Sequence, residues 1–208
     1  MTVDAGRVGP LGPADVDAAV AVLAASHADY PAFRHVWPRP QVRARALRPF
    51  LRASVADAAA LSASTVGRDR DGVLAVALWL PPGAFPWSTA RKLRAAPALL
   101  RTALAAPRSA PAFARIGSSA ERTHPGEPSW YLETLGVHPR AQRQGWGQRV
   151  LRPGLERADR EGRACYVETS DPANERFYRS LGFEVVAPRL EHLPGGPPYL
   201  GLRRPPGG

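Results

Sequence analysis

The chain has 208 residues, 44% of them hydrophobic, which suits one domain with a substantial buried core and excludes a disordered polymer. Its formal charge is +10, from 28 basic against 18 acidic side chains, and Lys92 is the only lysine. The arginines are dispersed, with no basic tail and no interleaved aromatic platform, so the charge reads as solvated surface with a share for an anionic cofactor, and a nucleic-acid-binding role is not favoured.

No apolar run is long enough to span a bilayer, and the opening residues lack the apolar core of a signal peptide, so a cytoplasmic protein without a membrane role is expected. The single Cys165 excludes an internal disulfide and sits in the apolar run Ala164-Cys165-Tyr166-Val167, as a buried structural thiol would. No His/Cys/carboxylate cluster has metal-ligand spacing, and neither a P-loop nor a Ser-His-Asp arrangement is present.

In chain order, residues 14–26 carry an apolar stripe (Val16, Ala19, Val20, Leu23, Ala24) and are predicted helical. Residues 27–38 form an aromatic-rich loop, and 41–60 a second helix that Pro49 kinks or divides. Residues 61–67 and 73–80 read as two strands joined by a hairpin whose Asp71-Gly72 suits a tight turn. From 88 to 122 the Ala/Arg-rich composition predicts a two-helix insertion broken near Pro107 and Pro111. Strand 130–137, helix 145–161 (with Pro153 inside it), strand 164–170, helix 172–181, strand 183–188 and a short strand at 199–202 complete a single α/β domain over 1–208.

Two constellations carry chemistry. In the first, Val137-x-Pro139-x-x-Gln142-x-x-Gly145-x-Gly147 joins a strand to a helix through two glycines. Bare N–H groups at a helix N-terminus favour an anion such as a pyrophosphate, and Arg140, Arg143 and Arg149 add positive charge. In the second, Glu168-Thr169-Ser170-Asp171-Pro172-Ala173-Asn174 leads into Phe177-Tyr178 and Gly182-Phe183. Asp171 is a good N-cap, Pro172 a good first helical residue, and Asn174 and Tyr178 share a helix face.

Taken together, in this order, these motifs resemble the GNAT N-acetyltransferase superfamily. Within it they look most like the puromycin N-acetyltransferases, on Tyr131-Leu132-x-Thr134-x-Gly136-Val137, Pro153-Gly154, Glu168-Thr169-Ser170 and Phe177-Tyr178. The resemblance covers most of the chain and is weak across 82–127. It implies a mixed, mostly antiparallel central sheet flanked by helices and splayed at an acetyl-CoA site. Leu135, Gly136 and Val137 would bind the pantetheine arm through backbone, helped by Asn174. Gln142, Arg143, Gln144, Gly145, Trp146, Gly147 and Gln148 would hold the pyrophosphate, and Tyr178 would protonate the departing thiolate.

The acceptor amine needs a base, and Glu133 and Glu168 are the two candidates, with either also able to bind a cationic substrate. Alternation puts Glu133 on the face of Leu135 only if no bulge intervenes, and the family usually has one. Tyr30, His35, Trp37, Trp79 and Trp87 are candidates for an aromatic acceptor pocket. The expected activity is acetylation of a small-molecule primary amine, such as an antibiotic or aminonucleoside, by a monomer or homodimer. A protein or peptide acetyltransferase and a non-catalytic acyl-CoA sensor are the alternatives.

Overall fold

A computed structural model describes residues 6–207. One seven-stranded sheet runs through it in the order β1-β2-β3-β4-β5-β7-β6. The strands are β1 (Arg7–Pro10), β2 (Thr65–Asp69), β3 (Gly72–Leu80), β4 (Trp130–Val137), β5 (Cys165–Thr169), β6 (Glu184–Leu190) and β7 (Tyr199–Arg204). Every neighbouring pair is antiparallel except β4–β5.

The helices are α1 (Val16–Ser26), α2 (Pro31–Val36), α3 (Pro40–Ala60), α4 (Thr89–Ala105), α5 (Ala110–Thr123), α6 (Trp146–Arg160) and α7 (Ala173–Arg179). Among the described residues, no helix is long and apolar enough to cross a membrane. Two elements went unforeseen, the edge strand β1 and the short helix α2 inside the expected aromatic loop. The first hairpin strand also begins at Thr65, four residues later than expected, because Leu61 caps α3 and Ser62 turns the chain at φ +51°. Pro49 neither divides α3 nor stops it, and Pro153 lies inside a continuous α6.

The period-two alternation of β3 sorts its side chains onto two faces. Val76, Leu78 and Leu80 join Leu23, Leu47, Leu51 and Val55 under α1 and α3, whereas Ala75, Ala77 and Trp79 join Val150, Leu151 and Phe183 under α6. Close approach of α6 depends on Gly154, where a Cβ would lie 2.3 Å from the Trp79 indole nitrogen. On the other face, a Cβ on Gly136 would lie 2.4 Å from Ser26 Oγ and 2.6 Å from Leu23 Cδ2, so that glycine lets α1 sit against β4.

Two irregularities position the site. Leu78 pairs with Thr134 and Trp79 with Leu132, which leaves Glu133 as the extra residue of a bulge. The bulge resets the alternation: Trp130 and Leu132 before it, and Leu135 and Val137 after it, all pack on the α6 face. The second irregularity is the parallel pairing of β4 with β5, which holds only for Trp130–Cys165, Tyr131–Tyr166 and Leu132–Val167. Beyond Leu132 the two strands part.

Candidate active site

The parting of β4 and β5 opens into a cavity of about 520 Å³. Thr134 and Leu135 line it from β4, Glu168 and Thr169 from β5, and Asn174 and Tyr178 from α7. Phe33, Phe50 and Ser54 close it from α2 and α3, and Phe113 and Ile116 from α5. Concave, mostly apolar walls with a few convergent polar groups are the usual form of a small-molecule site.

Both glutamates reach this space, in different states. Glu133, displaced from the ladder by the bulge, has one carboxylate oxygen, Oε2, that is buried and has no hydrogen-bond partner among the described residues. Burial, and secondly the negative charge of Asp57, push its pKa up to about 7, against the smaller opposing pull of Arg91 and the Ser54 hydroxyl. Glu168 is fully engaged. Tyr166 donates its hydroxyl to Oε1 at 2.9 Å, His192 Nε2 lies 2.9 Å from Oε2, and the other imidazole nitrogen lies 3.2 Å from Ser119 Oγ.

Tyr178 is 5% exposed and lines the cavity from α7. Burial, then the neighbouring Tyr30, push its hydroxyl well above the ordinary tyrosine range, so it keeps its proton at any working pH. The helix that carries it starts one residue later than expected, with Pro172 rather than Asp171 in the N-cap position, and Asp171 Oδ1 accepts the Ala173 N–H at 3.0 Å just ahead of it. Beside it, the Tyr30 hydroxyl accepts the Ser170 N–H at 2.7 Å, and Asn174 Nδ2 donates to Thr169 Oγ1 at 3.1 Å. Residues far apart in sequence are thereby tied together where β5 meets α7.

The glycine turn takes the shape its sequence suggested. Arg143 and Gly145 have φ of +61° and +79°, and the space beside Gly145 is open, with nothing within 4 Å of where a Cβ would be. Gln142 Nε2 donates to Val137 O at 3.2 Å and Gln144 Nε2 to Arg140 O at 3.0 Å, so these side chains brace the turn. Trp146 is buried in the α6 core, with its ring under Arg149. At Gly147 a Cβ would make only an ordinary contact with Phe177, at 3.4 Å. Arg140 is drawn to Asp69 and Asp71 on the neighbouring hairpin, and Arg149 to the Gly6 carbonyl. Gln148 is exposed on the first turn of α6.

Three of the five expected pocket aromatics lie elsewhere. Trp79 is fully buried against Trp130 and α6, on the opposite core from the aromatic wall. Trp37 is 1% exposed and stacks between Phe33 and Phe113, supporting the wall from behind. His35 is exposed on α2 and does not line the cavity. Tyr30 and Trp87 do line it. The histidines of the wall are His27 and His192; burial holds His27 down at about 4, so it is neutral. Sequence reasoning missed His192, Tyr199, Ser54 and the phenylalanines. His192 precedes a Pro- and Gly-rich stretch without periodicity, and Phe113 lies where the family resemblance fades.

Residues 107–185 match the acetyltransferase (GNAT) domain family. The whole chain is similar to a Corynebacterium glutamicum protein described as histone acetyltransferase HPA2 and related acetyltransferase, with 28% identity, TM-score 0.70, and coverage of 98% of this chain and 97% of that one. It shares its fold with the Drosophila melanogaster polyamine N-acetyltransferase that forms N-acetylagmatine (18% identity, TM-score 0.58, 95% and 97% covered). The Escherichia coli ribosomal-protein-S18-alanine N-acetyltransferase has it too (14% identity, TM-score 0.54, 97% and 94% covered). With its splayed sheet, glycine turn and cavity, the chain is a GNAT-fold acyltransferase enzyme.

Proposed function

We propose that this enzyme transfers an acetyl group from acetyl-CoA to a primary amine of a small, aromatic molecule. The observation that carries the reading is the convergence, in one cavity at the strand splay, of the partner-free Glu133 oxygen with the protonated Tyr178 hydroxyl. A base and an acid on either side of a reacting acyl group are what amine acetylation needs.

The residues present suit the cofactor. Beyond Leu132 the β4 edge no longer pairs with β5, leaving its backbone available to an extended pantetheine chain along residues 135–137. The left-handed turn at Gly145 opens the α6 N-terminus, whose first N–H groups have no partner within the helix and suit a pyrophosphate. Bound acetyl-CoA supplies an activated thioester. Glu133 takes a proton from the incoming ammonium, and its pKa of about 7 leaves it both able to accept and substantially ionised near neutrality. Tyr178 gives its proton to the departing sulfur.

The aromatic walls, closed by α5 and the β6–β7 loop, favour a compact amine over a peptide laid in an open groove. Inactivation of an amine-bearing antibiotic or aminonucleoside is the role that fits. A panel of aromatic amines that includes puromycin, assayed with acetyl-CoA by release of free thiol, tests the reading. Turnover is expected with compact aromatic amines, and CoA binding without thiol release for any of them would point to a sensor instead.

A further inference from the structure

Buried polar atoms without a partner are expensive, and in a folded protein they are few. Among the described residues, five buried side-chain atoms have none: Ser54 Oγ, Trp79 Nε1, Trp87 Nε1, Ser129 Oγ and Glu133 Oε2. Trp79 and Ser129 lie off the cavity, but Ser54, Trp87 and Glu133 all line it. They come from three separate segments, α3, the loop before α4, and the β4 bulge.

One buried ion pair backs all three. Arg91 donates through Nε to Asp57 at 2.8 Å and by a second contact through Nη2. Its guanidinium lies 5.5 Å from the centre of the Trp87 ring, and both partners act on the charge of Glu133. Asp57 shares α3 with Ser54, three residues along. The support is therefore rigid, while the three lining residues each keep a buried polar atom that makes no hydrogen bond of normal geometry, the Ser54 hydroxyl lying close enough to Glu133 to favour its charged form.

We propose that Trp87 Nε1, Ser54 Oγ and Glu133 Oε2 form a polar subsite for an acceptor whose primary amine has a neighbouring hydrogen-bond-accepting group, a carbonyl or a ring nitrogen, on an aromatic body. The proposal rests on reading the cavity as the acceptor site and names the chemistry that site selects. The three atoms differ in what they can do: an indole N–H only donates, an ionised carboxylate only accepts, and a hydroxyl does either. An amine satisfies Glu133. Only an accepting atom satisfies Trp87. A purely aliphatic polyamine offers donors alone and strands the indole N–H in a cavity from which it displaces water. A site built to hydrogen-bond its substrate discriminates strongly against analogues that lack the group.

The test compares phenylalanine amide, which has an aromatic ring, an amine and an adjacent carbonyl, with 2-phenylethylamine, which lacks the carbonyl. Binding of each to CoA-loaded enzyme is measured by calorimetry, and thiol release with acetyl-CoA is measured separately. Wild type is expected to bind the amide roughly tenfold or more tighter, the usual effect of one matched buried hydrogen bond. In Trp87→Phe, which keeps an aromatic ring and removes the donor, that ratio should fall towards unity, and Ser54→Ala should reduce it independently. Equal binding of the two probes, no binding of either, or a preference that persists in both variants overturns the proposal. Discrimination in binding without thiol release from any amine would leave the subsite standing and sink the acetyltransfer reading; transfer without discrimination would do the reverse.

Discussion

His192 Nε2 lies 2.9 Å from Glu168 Oε2, with both side chains almost completely buried, and this contact separates the two glutamates that the sequence could not tell apart. With Tyr166 on its other oxygen, Glu168 is held between β5, α5 and the β6–β7 loop. It shapes the cavity. Glu133, whose buried Oε2 makes no hydrogen bond, is the one we propose exchanges protons.

Breaking the His192–Glu168 contact should therefore loosen a wall without removing the chemistry. His192→Ala strands a buried carboxylate oxygen, at a cost of about 1–3 kcal/mol. A fall of several degrees in Tm and a raised KM for the amine are expected, with a smaller change in kcat. Thermal melts and steady-state kinetics would check this; a kcat loss as large as that of Glu133→Gln would contradict the division of roles.

Glu133→Gln should lower kcat/KM for the amine by roughly 10²–10⁴-fold, the usual contribution of a positioned base. In wild type, activity should rise with pH through about 7, as Glu133 ionises. In the variant that limb should disappear. A pH–rate profile of each enzyme decides it.

The same group makes a stability prediction of opposite sense. Its folded pKa of about 7 stands above the ordinary glutamate value of 4.5, so between these values the folded state holds the proton more tightly than the unfolded one. The Glu133 contribution is thus lost as pH rises from about 4.5 through about 7, by up to about 3 kcal/mol. Glu133→Gln should melt at a higher temperature than wild type at pH 8, and the gap should close near pH 4.

Tyr178→Phe should lower kcat by about one to two orders of magnitude and leave CoA affinity nearly unchanged, since it deletes a proton donor and keeps the buried ring. Unchanged turnover with a good substrate would remove Tyr178 from the mechanism.

Two glycines, Gly136 on β4 and Gly145 just before α6, should respond differently to alanine. Gly136→Ala drives a methyl into Ser26 and Leu23, an overpacking of about 1–3 kcal/mol that displaces α1. Gly145→Ala meets no neighbour, and its cost, about 1 kcal/mol, comes from holding φ at +79°. Denaturant melts should show the larger loss at Gly136.

Strand β4, helices α6 and α7 and the glycine turn were legible because each depends on local periodicity and turn chemistry. The four-residue β1 was invisible, as its pairing with β2 lies almost 60 residues away. Trp79 and Trp37 misled because an aromatic residue near a strand end or loop looks the same in sequence whether it lines a cavity or fills a core; only the third dimension separates Trp37 from its neighbour Phe33. The distant partner of Glu168, His192, lies in the β6–β7 loop, and the Ser119 that holds the other side of that imidazole lies on α5, both in segments with no pattern of their own.

The strand pairing that stops after three residues has a kinetic consequence. The cavity draws its lining from both cores, with Leu135 and Tyr178 from the α6 side and Phe33 and Phe113 from the α3 and α5 side. The sheet, ordinarily a partition, is here a doorway. Donor and acceptor can approach through it from opposite faces and meet in the middle, so neither has to depart before the other arrives. Such a layout suits a ternary complex, with intersecting double-reciprocal plots and no acetylated enzyme to isolate.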